Sequence, residues 1–186
     1  MNVTVINKSK WSDEAVNAIV DFLAPCYGHV DMPVRLTIKS KPRAGTWGKA
    51  YFPAKGRRCI QSGEWAAVVY IGSIPRSAIP SAKQYPCTRV YKKRAGGYLA
   101  TSLVDEVVHT IAHELRHIEQ FEACRLYRLS HPDSFLHFSG AFRHWERSGR
   151  AGFGYNSCEY DAEKVAHGLL AAYQTHIENN LKARAA

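Results

Sequence analysis

The sequence contains no closely spaced cysteine pair, no long apolar run and few acidic residues in its first half. Its 5 cysteines are scattered at positions 26, 59, 87, 124 and 158, without a C-x-x-C motif. This odd number and wide spacing argue against a disulfide framework, so we expect most of them to be small buried side chains. The longest apolar run, Trp65 to Ile71, is much shorter than the roughly 20 residues that span a bilayer.

The first ten residues also lack the apolar core and small-residue cleavage site of a secretory signal. We therefore expect a soluble, cytoplasmic protein with no membrane partner. A length of 186 residues and a hydrophobic content of 46% are typical of one globular domain. Because no repeat or linker divides the chain, we expect a single domain over 1–186, with a basic, β-rich half (1–100) and a helical half (101–186).

Charge is distributed unevenly between these halves. Residues 1–100 contain 16 Lys and Arg against 5 Asp and Glu, whereas residues 101–186 contain 9 against 11. The basic residues form three groups with aromatic residues among them: Lys39, Lys41 and Arg43; Lys55, Arg57 and Arg58; and Arg89, Lys92, Lys93 and Arg94. Such a surface attracts nucleic acid or an acidic partner. The alternative is a solvated basic face that aids solubility. The sequence contains no nucleic-acid-binding motif that would decide between these two interpretations.

Apolar periodicity predicts strands in the first half of the chain. Strands are expected at Val3–Ile6, Val34–Lys39 and Trp65–Ile71, the last paired with Cys59–Gln61 through a turn at Ser62-Gly63. A hairpin is expected within 88–99, and residues 41–56 read as a loop or irregular hairpin. Between the first two strands, Ser12 is expected to cap a helix that ends near Pro25.

The second half is predicted to be helical. A broad apolar stripe follows Ser102 and continues to Ile118, another helix is expected at Glu159–Leu181, and Pro132 can open a further helix over 131–145. Together these elements predict an α+β fold, in which an N-terminal helix backs a small twisted sheet and two long helices carry the functional residues.

The segment His113-Glu114-Leu115-Arg116-His117 carries the strongest chemical signal. Positions four apart share a helix face, so the two histidines can present ring nitrogens to one metal ion. Glu114 projects beside them and can act as a general base toward a water molecule at the metal. With 9 His and 10 Glu among 186 residues, the number of H-E-x-x-H patterns expected by chance in a sequence of this length is only about 0.02. A catalytic zinc typically takes three protein ligands, which leaves one ligand to be found elsewhere.

This motif resembles that of the zincin metallopeptidases, in particular the gluzincin type, where a later helix supplies a glutamate ligand. The second part of the resemblance lies in Glu159-Tyr160-Asp161-Ala162-Glu163. It implies that zinc is held by His113, His117 and Glu159, and that Glu163 accepts a hydrogen bond from a ligand histidine. The chain is also similar to small prokaryotic and phage proteins with an HExxH helix, a nearby glutamine, here Gln120, and an E-x-D-A segment.

A second resemblance names a different third ligand. His131-Pro-Asp-Ser-Phe135 is similar to the H-x-x-x-aromatic element of SprT-like proteases, which bind metal through three histidines and act on protein attached to DNA. The basic first half fits that comparison. However, Pro132 stands where that family has glycine, and no cysteine zinc ribbon follows, so Glu159 is preferred to His131.

The resulting expectation is a zinc-dependent peptidase with Glu114 as its catalytic base and a protein or peptide as its substrate. We expect the substrate to add as a strand at the sheet edge, with Trp65–Ile71 as the candidate strand. Tyr155 is a candidate donor to the oxyanion, although a packed aromatic residue is the simpler interpretation. The alternative, from another functional class, is a binding protein: a zincin scaffold that binds nucleic acid and does not cleave peptides.

Overall fold

The computed structural model describes residues 1–28, 30–43, 46–51, 63–74, 102–130 and 158–185. These residues form four strands and three α-helices, which agrees with the expected α+β class. In chain order they are β1 (Val3–Lys8), α1 (Asp13–Leu23), β2 (Val34–Lys39), β3 (Gly48–Ala50), β4 (Trp65–Tyr70), α2 (Leu103–Ser130) and α3 (Cys158–Ala185). The strand expected at 59–61, the hairpin at 88–99 and the helix at 131–145 lie outside the described residues.

The strands form one sheet in the order β1-β2-β4-β3. β1, β2 and β4 are parallel, with Val3 opposite Val34 and Val34 opposite Trp65, and β3 pairs antiparallel to β4. The bounds of β2 match the prediction, and β1 extends two residues beyond it. Ile71 begins a 3₁₀ turn rather than ending β4.

The expectation that Trp65–Ile71 forms a sheet edge is wrong. β4 lies between β2 and β3, so its main-chain groups are already paired on both sides. The physical reason is its composition: a strand buried among neighbours reads as a continuous apolar run, and Trp65, Ala67 and Val69 are fully buried. In the described part of the chain, the outer strands are β1 and β3.

The first helix begins where the sequence predicts. The Ser12 side chain accepts a hydrogen bond from the Ala15 amide at 3.2 Å, which satisfies one of the free donors at the N-terminus of α1. α1 buries Val16, Ile19, Val20 and Leu23 in the core. It ends at Leu23 and passes into a 3₁₀ turn containing Pro25, because proline cannot continue the helical hydrogen bonding.

α2 is the central element of the structure, since it packs against the sheet, α1 and α3. At its start, Ser102 and Asp105 exchange side-chain hydrogen bonds with each other's amides, both at 3.1 Å, which forms a capping box. Its apolar stripe is buried from Val107 to Ile118, with 0% exposure at Val107, Val108, Ile111, Ala112, Leu115 and Ile118, whereas Val104, which the periodicity places on the same stripe, is exposed. α3 covers α2 with a face formed by Ala162, Ala166, Leu170 and Tyr173.

A buried carboxylate fixes α2 to the sheet. Glu122 accepts hydrogen bonds from the indole nitrogen of Trp65 at 2.9 Å, from Arg125 at 2.6 and 2.7 Å, and from the Asp31 amide at 3.1 Å. A buried charge is tolerated only with such partners. The position of the helix over β4 is therefore set by specific contacts as well as by apolar packing.

None of the helices in the described segments is both long enough and apolar enough to cross a membrane.

Candidate metal centre

Two ring nitrogens of α2 and one carboxylate of α3 converge at the predicted site. The Nε2 atoms of His113 and His117 are 3.0 Å apart. Glu159 Oε2 lies 3.3 Å from His113 Nε2, and Glu159 Oε1 lies 3.4 Å from His117 Nε2. The three side chains therefore form a compact group able to hold a metal ion.

The spacing of these atoms fits a tetrahedral zinc ion. Zinc binds histidine nitrogen and carboxylate oxygen at about 2.0–2.2 Å, so ligand atoms at tetrahedral angles are about 3.3 Å apart. The separations from His113 Nε2, 3.0 Å to His117 Nε2 and 3.3 Å to Glu159 Oε2, are close to this value, and the other carboxylate oxygen, Oε1, lies 3.4 Å from His117 Nε2. Two nitrogens and one oxygen also form a typical donor set for zinc, and other divalent ions bind to the same kind of donor set.

The second nitrogen of each histidine is held by a separate partner. His113 Nδ1 lies 3.1 Å from Glu163 Oε2, and His117 Nδ1 lies 2.8 Å from Gln120 Oε1. Acceptors at Nδ1 favour the tautomer in which Nδ1 carries the proton and Nε2 is free to bind a metal. Both imidazoles thus present their ligand nitrogens toward Glu159.

Asp161 links the two helices beside the ligands. Its Oδ2 accepts hydrogen bonds from Arg116 Nε at 2.7 Å and Gln120 Nε2 at 2.8 Å. Gln120 Nε2 also donates to the Cys158 carbonyl at 2.9 Å. Gln120 therefore contacts α3 with its nitrogen and His117 with its oxygen, so the position of α3 and the orientation of this histidine depend on one side chain.

Glu114 lies next to the ligand group but faces β3. Its side chain is buried, with 6% of the residue exposed, and its carboxylate accepts a hydrogen bond from the Ala50 backbone amide. Burial raises the pKa of Glu114, and the neighbouring His113 and His117 offset part of that rise. A carboxylate with a raised pKa near a metal is suited to accept and return a proton.

The Glu159 and Glu163 carboxylates and the His113 imidazole hold one another in charged form. Burial opposes ionisation of Glu163, yet His109 and His113 hold its pKa at about 2. Burial likewise opposes a charge on His113, but the Glu159 and Glu163 carboxylates raise the pKa of His113 well above its usual value. Burial also opposes ionisation of Glu159, but His113 and His117 hold the pKa of Glu159 well below its usual range.

The structure thus brings together four residues named from sequence as ligands or base, and it shows the contact between Glu163 and a histidine of the motif that the resemblance implied. His131 and Tyr155 lie outside the described residues. Sequence reasoning assigned no role to Arg116, Asp161 or Gly48. The E-x-D-A segment could have indicated a role for Asp161, because this residue is part of that pattern. No sequence pattern indicates that Gly48 lies against Glu114.

Comparisons with protein-family models, with curated proteins and with solved structures returned no match. The resemblance to zincins therefore rests on the sequence motifs.

Zinc binding is expected to release about one proton at pH 7. His113 carries this proton in the metal-free protein because its pKa is raised, and the metal must displace it. Zinc affinity should therefore increase with pH until the pH exceeds the pKa of His113. Calorimetric titration in two buffers of different ionisation enthalpy measures the number of protons released.

The matched variant is Glu163→Gln, which keeps an oxygen acceptor beside His113 but removes one of the two carboxylates, Glu159 and Glu163, that most raise its pKa. Fewer protons should then be released at pH 7. Equal release from both proteins would contradict the assigned electrostatics.

Proposed function

We propose that this protein is a zinc-dependent peptidase in which His113, His117 and Glu159 hold the metal and Glu114 is the general base. The observation that carries the proposal is the position of the buried Glu114 carboxylate beside two imidazole nitrogens and a second carboxylate that lie close enough together to hold one metal ion. Three protein ligands leave one coordination position open. A purely structural site would need a fourth ligand and no adjacent base.

The chemistry divides between the ion and the side chains. Zinc, when bound, lowers the pKa of a coordinated water and polarises the carbonyl group under attack. Glu114 accepts the proton that the attacking water loses and then donates it to the nitrogen of the leaving amine. Gln120 and Glu163 keep the imidazoles in the tautomer that binds metal, and Asp161 keeps α3 in place.

The outer strand β3 suits an extended substrate. Tyr70 N donates to Trp47 O at 2.6 Å and Tyr51 N donates to Ala66 O at 2.8 Å, so these are hydrogen-bonded pairs of the antiparallel ladder. The alternating residues Gly48 and Ala50 therefore direct their main-chain groups away from β4; the Ala50 amide donates to Glu114, which leaves the Gly48 groups and the Ala50 carbonyl for a peptide. A peptide that adds to β3 would meet Glu114 at the same edge, which places its main chain beside the base.

The position of Glu159 favours a gluzincin-like site over the SprT-like alternative. Its two oxygens each lie within 3.4 Å of a ligand nitrogen, so the third ligand position is supplied by a described residue. In the SprT-like arrangement this position would belong to His131.

Replacing Glu114 by Gln should leave zinc bound and reduce peptide cleavage by at least about 100-fold, since the amide cannot accept a proton. Zinc content by elemental analysis and cleavage of a quenched fluorescent peptide library by the same preparation test this expectation.

The control is Glu178→Gln, the same chemical change at an exposed position of α3, which should retain full activity. Cleavage that persists in Glu114→Gln at the level of this control would refute the proposed role of Glu114.

A second candidate function, binding of nucleic acid, is favoured by cations on the sheet face opposite α2. Lys39 Nζ lies 5.8 Å and Arg43 Cζ 5.7 Å from the centre of the Tyr70 ring, and Lys49 Nζ lies 5.5 Å from that of Tyr51. Stacking on tyrosine orders these side chains while their charge stays available to phosphate. The other two basic groups lie outside the described residues.

If this face binds nucleic acid, affinity for single- or double-stranded DNA should be measurable at low salt and decrease steeply as salt is added. The double change Arg43→Glu and Lys49→Glu should weaken binding by at least about 10-fold, because each reversal repels phosphate. Fluorescence anisotropy with labelled DNA measures this, with Lys182→Glu at the exposed end of α3 as control. Absence of binding at low salt, or an equal loss in the control, would contradict this candidate function.

A further inference from the structure

The Glu114 side chain lies directly against the backbone of Gly48. A Cβ atom placed on Gly48 would be 2.5 Å from Glu114 Oε1, 2.6 Å from Cγ and 2.8 Å from Cδ. These separations are far shorter than a van der Waals contact. Glu114 can therefore keep its conformation only if residue 48 has no side chain.

The strand is less able to move than the carboxylate. β3 is fixed to β4 on both sides of Gly48, through the hydrogen bond from Tyr70 N to Trp47 O and the one from Tyr51 N to Ala66 O. The backbone of α2 is fixed by its buried apolar stripe. A side chain at position 48 would therefore displace the end of Glu114, which has rotatable bonds, before it displaced either element.

The same strand also gives the carboxylate its direction. The Ala50 amide, two residues after Gly48, donates a hydrogen bond to Glu114. Gly48 thus provides the space and Ala50 the donor. Both act on the base, and neither belongs to the group that holds the metal.

We propose that Gly48 is a positioning residue for Glu114, an inference that rests on the proposed peptidase function. Its missing side chain lets the carboxylate lie at the edge of β3, where the substrate main chain is expected. Zinc binding does not depend on this contact, because the ligand atoms are supplied by α2 and α3. Cleavage depends on it, since a displacement of about 1 Å in a catalytic group can reduce the rate about 100-fold.

The first test is kinetic. Gly48→Ala should retain zinc and lower kcat by about 10- to 100-fold with little change in KM, measured on a fluorogenic peptide that the unchanged protein cleaves. Gly28→Ala is the control, since a Cβ at Gly28 meets nothing within 4 Å. A kcat of Gly48→Ala equal to that of the control would overturn the proposal, as would a change in KM alone.

The second test needs no activity. In the otherwise unchanged chain, Gly48→Ala should lower the Tm by about 4 °C because of the clash. In a Glu114→Ala background the clashing atoms are absent, so the same change should leave the Tm unaltered. An equal loss of Tm in both backgrounds would show that position 48 does not act through Glu114. If Gly48→Ala failed to fold in both the unchanged and the Glu114→Ala background, the conclusion would be the same.

The two tests separate this inference from the function on which it rests. If the unchanged protein cleaves no peptide while the Tm loss depends on Glu114, the peptidase proposal fails but the contact between Gly48 and Glu114 stands. If peptides are cleaved and the Tm loss is independent of Glu114, the peptidase stands and the positioning role is refuted.

Discussion

The Asp161 carboxylate holds together the two helices whose side chains form the candidate metal centre. One of its oxygens accepts hydrogen bonds from both Arg116 and Gln120 of α2. Glu159 lies two residues earlier on α3, so any sliding of α3 along α2 would separate its carboxylate from the histidines. Because metal–ligand distances tolerate changes of only about 0.2 Å, the centre depends on this contact between helices.

The charges within the site are mutually dependent. Glu163 lies between His109, at 3.5 Å, and His113, at 3.1 Å, and Glu159 lies between the two ligand nitrogens. Each of these groups would be costly to bury alone. Their arrangement in pairs keeps the carboxylates ionised and the histidines oriented, which is also the state that a divalent cation requires. A metal ion would replace the proton of His113, and the same carboxylates would then pair with the cation.

The sequence predicted the elements whose signal is local. The spacing of His113 and His117 follows from helical geometry, and the cap at Ser12 is where the sequence placed it. It did not predict features that arise from tertiary packing. β3 has three residues, too few to show a period, and Gly48 lies far from Glu114 along the chain. The apolar composition of β4 is compatible with a central strand, but its order in the sheet depends on its neighbours.

The identity of the third ligand is the central claim, and X-ray absorption spectroscopy of the zinc-loaded protein tests it most directly. The structure leads us to expect two imidazole nitrogens with oxygen ligands at about 2.0–2.2 Å. The spectrum should be retained in His131→Ala, and zinc should be lost from Glu159→Ala. A three-imidazole spectrum, with zinc lost from His131→Ala and retained by Glu159→Ala, would contradict the assignment of Glu159.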